Sequence, residues 1–343
     1  MAQNNSLLDY FGAPLGRAAL VSALMASTAL VALAPRVVYA QALVINGQQE
    51  TIKADGTGTV QSGQTVDNLT IGVDQTNSSL TMSGGGSLTS LGTMSVGKNA
   101  GSEGVVTISG EGSTLSVSAR MNIGDDGEGR LNIGAGGKVL SQFLAMGYFA
   151  GSTGVVTVSG ARAEMAVNEN IVVGFRSHGE LAVTDGGAVS AGSLHLSRTG
   201  DSSGIVTVSG AYSTLSVGNT LTVGSDAGHG VLQINDGGAL SANIVSIGFR
   251  TGSSDVATVS GENSTLTVDR SIVVGNTGLA KLEVEAGGAV STSDIFVGSF
   301  ARSNGTVTVS GADSTLTATG DFYLGQLTET TPSTGTLTIN SGG

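Results

Sequence analysis

The stretch GIVTVSGAYSTLSVGNTLTVGSDAGHGVLQINDGGALSANIVSIGFRTGSS, residues 204–254, decides how the chain is read, because nearly everything after residue 79 is a variant of it. The motif T-[VI]-S-G ends at Gly110, Gly160, Gly210, Gly261 and Gly311, so successive marks lie 50, 50, 51 and 50 residues apart by subtraction. A Gly-Gly pair keeps the same beat at Gly85, Gly136, Gly186, Gly237 and Gly287, and again at Gly342 after a longer step. Self-similarity at a fixed period of this size is the signature of a stacked array.

Each unit divides again. VTVSGAYSTLSVGNTLTVG (206–224) and LQINDGGALSANIVSIG (232–248) share the order apolar strand, turn, apolar strand, aliphatic-Gly, so the structural rung is half a repeat, roughly 25 residues. Within a rung Val206 and Val208, Leu215 and Val217, and Leu221 and Val223 are separated by Thr207, Ser216 and Thr222. Apolar residues at every second position mark strands with one buried face. Three such strands separated by Gly, Ser, Asn and Asp pair best with their equivalents in the next rung. The expected fold is all-β, a right-handed parallel β-helix, or β-solenoid, of about eleven rungs built from 50-residue double-rung repeats. One rung orders about 25 backbones for only about six buried aliphatics, so it does not fold alone.

Composition agrees. There are 55 Gly, 3 Pro and no Cys or Trp in 343 residues, with 39% hydrophobic residues, enough for a continuous core. Gly sits at fixed turn positions rather than in a low-complexity run, which sets the chain apart from disordered Gly-rich sequence. Pro14 and Pro35 precede residue 40, and Pro332 lies in TETTPS, where the Gly-Gly spacing stretches; proline, lacking a ladder donor, appears only where the ladder is interrupted. The formal charge of −12 becomes −13 once Arg17, Arg36 and Asp9 are removed with residues 1–40. With no basic cluster in the sequence, no nucleic acid partner is expected.

Residues 18–33, AALVSALMASTALVAL, follow Arg17 and precede VYAQA, with small residues at Ala40 or Ala42. This is the pattern of a secretory signal peptide, short for a membrane span. The expected organisation is a signal peptide over 1–40 cleaved near 40 or 42, an N-terminal cap and irregular first rung over 41–78, and the solenoid array over 79–343, breaking off in mid-repeat as in a fragment of a longer protein.

The units VSGAYSTLSVGNTLTVG (208–224) with GVLQINDGG (230–238), and VSGENSTLTVDRSIVVG (259–275) with LEVEAGG (282–288), resemble the repeat shared by type V secretion (autotransporter) proteins and PEP-CTERM-associated proteins. Where that repeat commonly carries an aromatic, this chain has Leu115, Met165, Leu215, Leu266 and Leu316. The resemblance implies a passenger region at the surface of a Gram-negative bacterium, tied to the outer membrane through a C-terminal barrel that is missing from these 343 residues.

Candidate chemistry is sparse, and no catalytic, cofactor-binding or metal-ligating residue is assigned. Asp125, Asp126, Glu128, Asp226 and Asp236 fall at turns, which explains acids without catalysis. His178 and His229 align two rungs apart, about 9.6 Å at 4.8 Å per rung, too far for one metal ion; His195 lies in a strand. IGDDGEG (123–129) and VGSDAGHG (223–230) faintly resemble calcium-binding nonapeptides but lack their period. Phe149, Phe175, Phe249 and Phe300 sit just after the aliphatic-Gly mark; stacking on sugars or partner side chains is one reading, and sealing of the coil is the expected one. Asn68, Asn77, Asn263 and Asn304 meet N-x-S/T, as chance allows in such a composition. The expected function is a structural or adhesive surface stalk without catalysis, with a host-surface, matrix or polysaccharide ligand; the alternatives are an extracellular carbohydrate-active β-helix enzyme and a pure spacer.

Overall fold

The computed structural model describes residues 43–45, 49–53, 60–226, 228–300, 302–325, 333–340 and 342. The expected signal peptide and the TETTPS insertion up to Pro332 lie outside them. Within the unit Ala40–Gly343 the described residues form strands joined by short turns, with no helix. Two sheets of 13 and 15 strands run its length, every pairing is parallel, and each strand pairs with its equivalents in neighbouring coils. The result is a β-solenoid of about eleven turns.

One repeat shows why the sequence coils this way. Ser203–Ser209 pairs with His229–Asn235, setting Val206 against Leu232 and Val208 against Ile234. Thr214–Val223 pairs with Ala239–Ile247, setting Leu215 against Leu240, Val217 against Ala242, Leu221 against Val245 and Val223 against Ile247. All six inward residues of the first coil are at most 2% exposed. Like therefore stacks on like, and the alternation of the sequence becomes aliphatic columns filling one continuous core from Ile45 to Val309.

The second and third predicted strands are continuous. Thr214–Val223 bends without breaking, and its register with Ala239–Ile247 shifts between Val217 and Thr220. The shift is a bulge, one extra residue that turns the chain while the ladder resumes. Each coil thus has three faces: one from the 13-stranded sheet, and two from the two halves of the bent strand. Coils alternate between wide and narrow. The wide coil uses four residues, 261–264, where the narrow one uses three, 236–238, and a 10-residue bent strand where the narrow one uses 9. That alternation is the physical reason the repeat is 50 residues rather than 25.

Two devices hold the corners. Gly129, Gly154, Gly179, Gly204 and Gly230 stack in register at the start of the first face. A Cβ on Gly204 would collide with the Val173 carbonyl, so the coil closes tightly only where the side chain is absent. The second device is a buried serine: Ser213 Oγ accepts from the Gly186 amide at 3.1 Å, and Ser264 and Ser314 do the same for Gly237 and Gly287 at 3.0 Å. Where Ala163 replaces the serine, the Gly136 amide turns to the Ala161 carbonyl at 3.1 Å.

The two sheets begin at Leu43–Ile45 and Gln49–Lys53, which pair in register with Leu69–Ile71 and Ser78–Ser83. In the last coil Phe322, Tyr323, Leu324 and Ile339 are exposed.

Candidate functional site

The third face, from the second half of each bent strand, carries the least repetitive outer surface. Three columns run along it. The first passes from Arg120 to Phe143, in register on adjacent strands, and onward through the Asn170 and Ser193 pair. The second lies two residues later, where Asn122, Ala145, Val172, His195 and Thr222 stack in register. Although this column points outward, Ala145 and Val172 are at most 1% exposed. The third column borders it: Lys98, Asp125, Tyr148 and Phe175 stand directly after the aliphatic-Gly mark, and Arg198 holds the same place after Leu196-Ser197.

Contacts along the third column change from coil to coil. Lys98 Nζ donates to Asp125 Oδ2 at 3.0 Å, and the same carboxylate accepts from Ser95 Oγ at 2.8 Å and, through Oδ1, from Asn122 Nδ2 at 3.3 Å. Tyr148 and Phe175 stack with centroids 4.8 Å apart at 30°. Arg198 lies 4.8 Å from the Phe175 centroid on the adjacent coil, and Arg176 lies 5.9 Å from it. Arg120 sits 5.0 Å from the Phe143 centroid and 5.4 Å from that of Tyr148, and its Nη1 donates to the Tyr148 hydroxyl at 2.8 Å. Phe149 meets Tyr148 edge-on at 4.9 Å. His195, half-buried on the floor, has its pKa lowered by burial first and by the Arg198 charge second, so it is neutral at pH 7. The face thus presents a short stack of aromatic rings flanked by guanidinium groups, each within cation–π range.

Further along the same face Phe296 and Tyr323 stack at 5.0 Å and 7°, bordering a hollow of about 300 Å³ lined also by Val297, Gly298, Ser299 and Gly325. Tyr323 donates to Asp321 Oδ2 at 3.0 Å, which holds its pKa above the usual phenol value.

The residues singled out in the sequence fall as follows. Asp125 is buried and fully engaged, not a solvated turn acid, because Lys98, Ser95 and Asn122 close over it. Asp236 accepts from Ser209 Oγ at 3.1 Å with φ of 54°, an ordinary turn role, and Asp226 is exposed. Asp126 is half-buried, whereas Glu128 opens a strand, in register with Glu103 on the adjacent coil. His178 and His229 are separated by Ser203, two coils apart. His229 Nδ1 donates to the Ser254 carbonyl at 2.6 Å. Among the described residues no three His, Asp or Glu side chains gather as metal ligands.

The phenylalanines require a correction. Phe149, Phe249 and Phe300 are 42%, 39% and 51% exposed, and Phe175 lies on the outer face. They sit outside the coil because the aliphatic columns already fill the interior. Arg120, Phe143, Tyr148 and Arg198 escaped the sequence reading. The signal for Tyr148 was the residue directly after the aliphatic-Gly mark, where Phe175 stands one rung later; Arg198 holds that place after Leu196-Ser197, where the mark has lost its glycine, and Arg120 and Phe143, inside their strands, carried no such mark.

No family model matches this chain, and no curated protein matches it. Among solved structures, a crystal structure of a TibC-catalysed, hyper-glycosylated TibA fragment is similar, with 18% sequence identity and a TM-score of 0.36, covering 87% of this chain and 97% of that one.

Proposed function

We propose that this chain is the exported, surface-displayed part of an autotransporter-like protein, a β-solenoid stalk that makes adhesive contacts through its outer face. The observation that carries the reading is the in-register stacking of about eleven coils. It fixes each outward position at about 4.8 Å from its equivalent in the next coil. Such a rod holds side chains at set intervals, and weak contacts in series add avidity. The apolar run over 18–33 supports export.

The test is expression in a Gram-negative cell with residues 1–40 intact. The expected result is an exported chain beginning at Gln41 or Leu43, which, when fused ahead of a translocator barrel, is degraded by protease added to whole cells. A chain that keeps Met1 and stays protected inside the cell overturns the reading.

A second reading, a carbohydrate-active enzyme, has one observation in its favour. Glu103 and Glu128 stand in register on adjacent coils, which sets their backbones about 4.8 Å apart, and retaining glycosidases use two carboxylates roughly 5 Å apart. Sugar release from polysaccharides that is lost in Glu128→Gln would replace the stalk with the enzyme.

A further inference from the structure

We propose that the ladder formed by Arg120, Tyr148, Phe175 and Arg198, with Arg176 and Phe149 beside it, is a binding site for a uronate-bearing polysaccharide lying along the solenoid axis. The inference deepens the adhesive reading and rests on it for its biological sense, but the site can be tested without it.

Charge is the first argument. The chain after residue 40 is strongly acidic, and Lys98, Lys138, Arg162 and Lys281 each pair with a carboxylate. Among the described residues Arg120, Arg176 and Arg198 are exposed and have no carboxylate within ion-pair distance; the same holds for Arg130, Arg250, Arg270 and Arg302, but the first three gather beside one another along the third face. Three guanidinium groups left unpaired within four consecutive coils of an acidic protein form a local anion site.

Geometry is the second. Arg198 rests 4.8 Å from the Phe175 centroid, and Arg120 is tied at 2.8 Å to the Tyr148 hydroxyl. A guanidinium packed on a ring keeps its planar fork of N–H donors directed outward, preorganised for the two oxygens of a carboxylate. Arg120 and Arg198 stand three coils apart, about 14 Å along the axis, and Arg176 lies between them. An extended polymer with carboxylates along its length meets this row, whereas a single small anion engages one member.

The rings decide the polymer's class. Tyr148 and Phe175 turn their faces to each other and to the arginines, which leaves no free pair of faces for the base stacking that single-stranded nucleic acid requires. Phe149, 42% exposed and edge-on to Tyr148, offers an apolar surface beside the guanidiniums where the C–H face of a sugar packs.

The experiment measures binding of the purified full chain to polygalacturonate, dextran sulfate, neutral dextran and a single-stranded oligonucleotide at low and high salt. The expected result is salt-sensitive binding of polygalacturonate and none of neutral dextran. The double variant Arg120→Gln, Arg198→Gln is expected to weaken that binding at least tenfold with an unchanged thermal unfolding curve. Arg162→Gln, at an exposed arginine on another corner, is expected to leave it unaltered. Unchanged affinity in the double variant, or no retention on polygalacturonate, overturns the site. Binding of dextran sulfate alone overturns the carboxylate assignment, and equal binding of the oligonucleotide overturns the polysaccharide one. Protease accessibility on whole cells reports separately on display, so failure of the site and failure of the stalk reading are distinguishable.

Discussion

Asp255 occupies the corner column that is glycine in the preceding coils, paired with Gly230 on one side and Ala280 on the other. Its residue is 1% exposed; Oδ1 accepts from the Gly230 amide at 2.7 Å, and Oδ2 is buried without a hydrogen-bond partner. Burial raises its pKa to about 6, against smaller lowering contributions from nearby Ser253, the Gly230 amide and His229. Because the folded value lies above the unfolded one, stability from this group is full below about pH 4, falls as pH rises through about 6 and is flat above. A shift of this size corresponds to about 3 kcal/mol. Asp255→Gly is therefore expected to raise the unfolding temperature at pH 7.5 and to lose that advantage at pH 3.5, as thermal melts followed by circular dichroism at the two pH values will show. A second prediction concerns the serine caps. Ser213→Ala strips the Gly186 amide of its acceptor and is expected to cost about 1 kcal/mol in denaturant unfolding. The reverse change, Ala163→Ser, gains less, because Gly136 already has a backbone partner.

Elements follow from the alternation of wide and narrow coils. Deleting 211–261 joins Gly210 to Glu262 and leaves a wide coil between narrow ones, so the shortened chain is expected to fold with the same cooperative melt. Deleting 210–235 joins Ser209 to Asp236 and sets two coils of one width together in each sheet, so its bulges no longer match their neighbours. That variant is expected to melt lower or populate a partly unfolded state, as circular dichroism and limited proteolysis will report. The coil was legible beforehand because its cause is local. Val206, Val208, Leu215, Val217, Leu221 and Val223 alternate, and alternation alone sets which side chain enters the core. The fusion of the second and third strands was not legible, since Gly218 and Asn219 read as a turn, yet the bulge there keeps the ladder running. The aromatic ladder was harder still. Phe149 and Phe175 stood out as recurring residues, but the residue in register with Phe175 is Tyr148, since Met146 aligns with Val173 and each ring stands two residues later, and Arg120 reaches Tyr148 from the preceding coil.

At the scale of the whole molecule, every coil is held to the next by backbone hydrogen bonds that run along the long axis, and each strand's partners lie one coil away in sequence. Stability is then a sum over neighbouring coils rather than a property of one closed core. A pull between the two ends loads those bonds in line, one layer at a time. Force spectroscopy on the single molecule is expected to show a train of similar peaks, each releasing about 25 residues, or roughly 80 Å of extended chain; one abrupt rupture of the whole rod would contradict it. A chain built this way does not give way all at once under load. It pays out length in small increments, dissipates work at each one, and keeps the remaining coils intact.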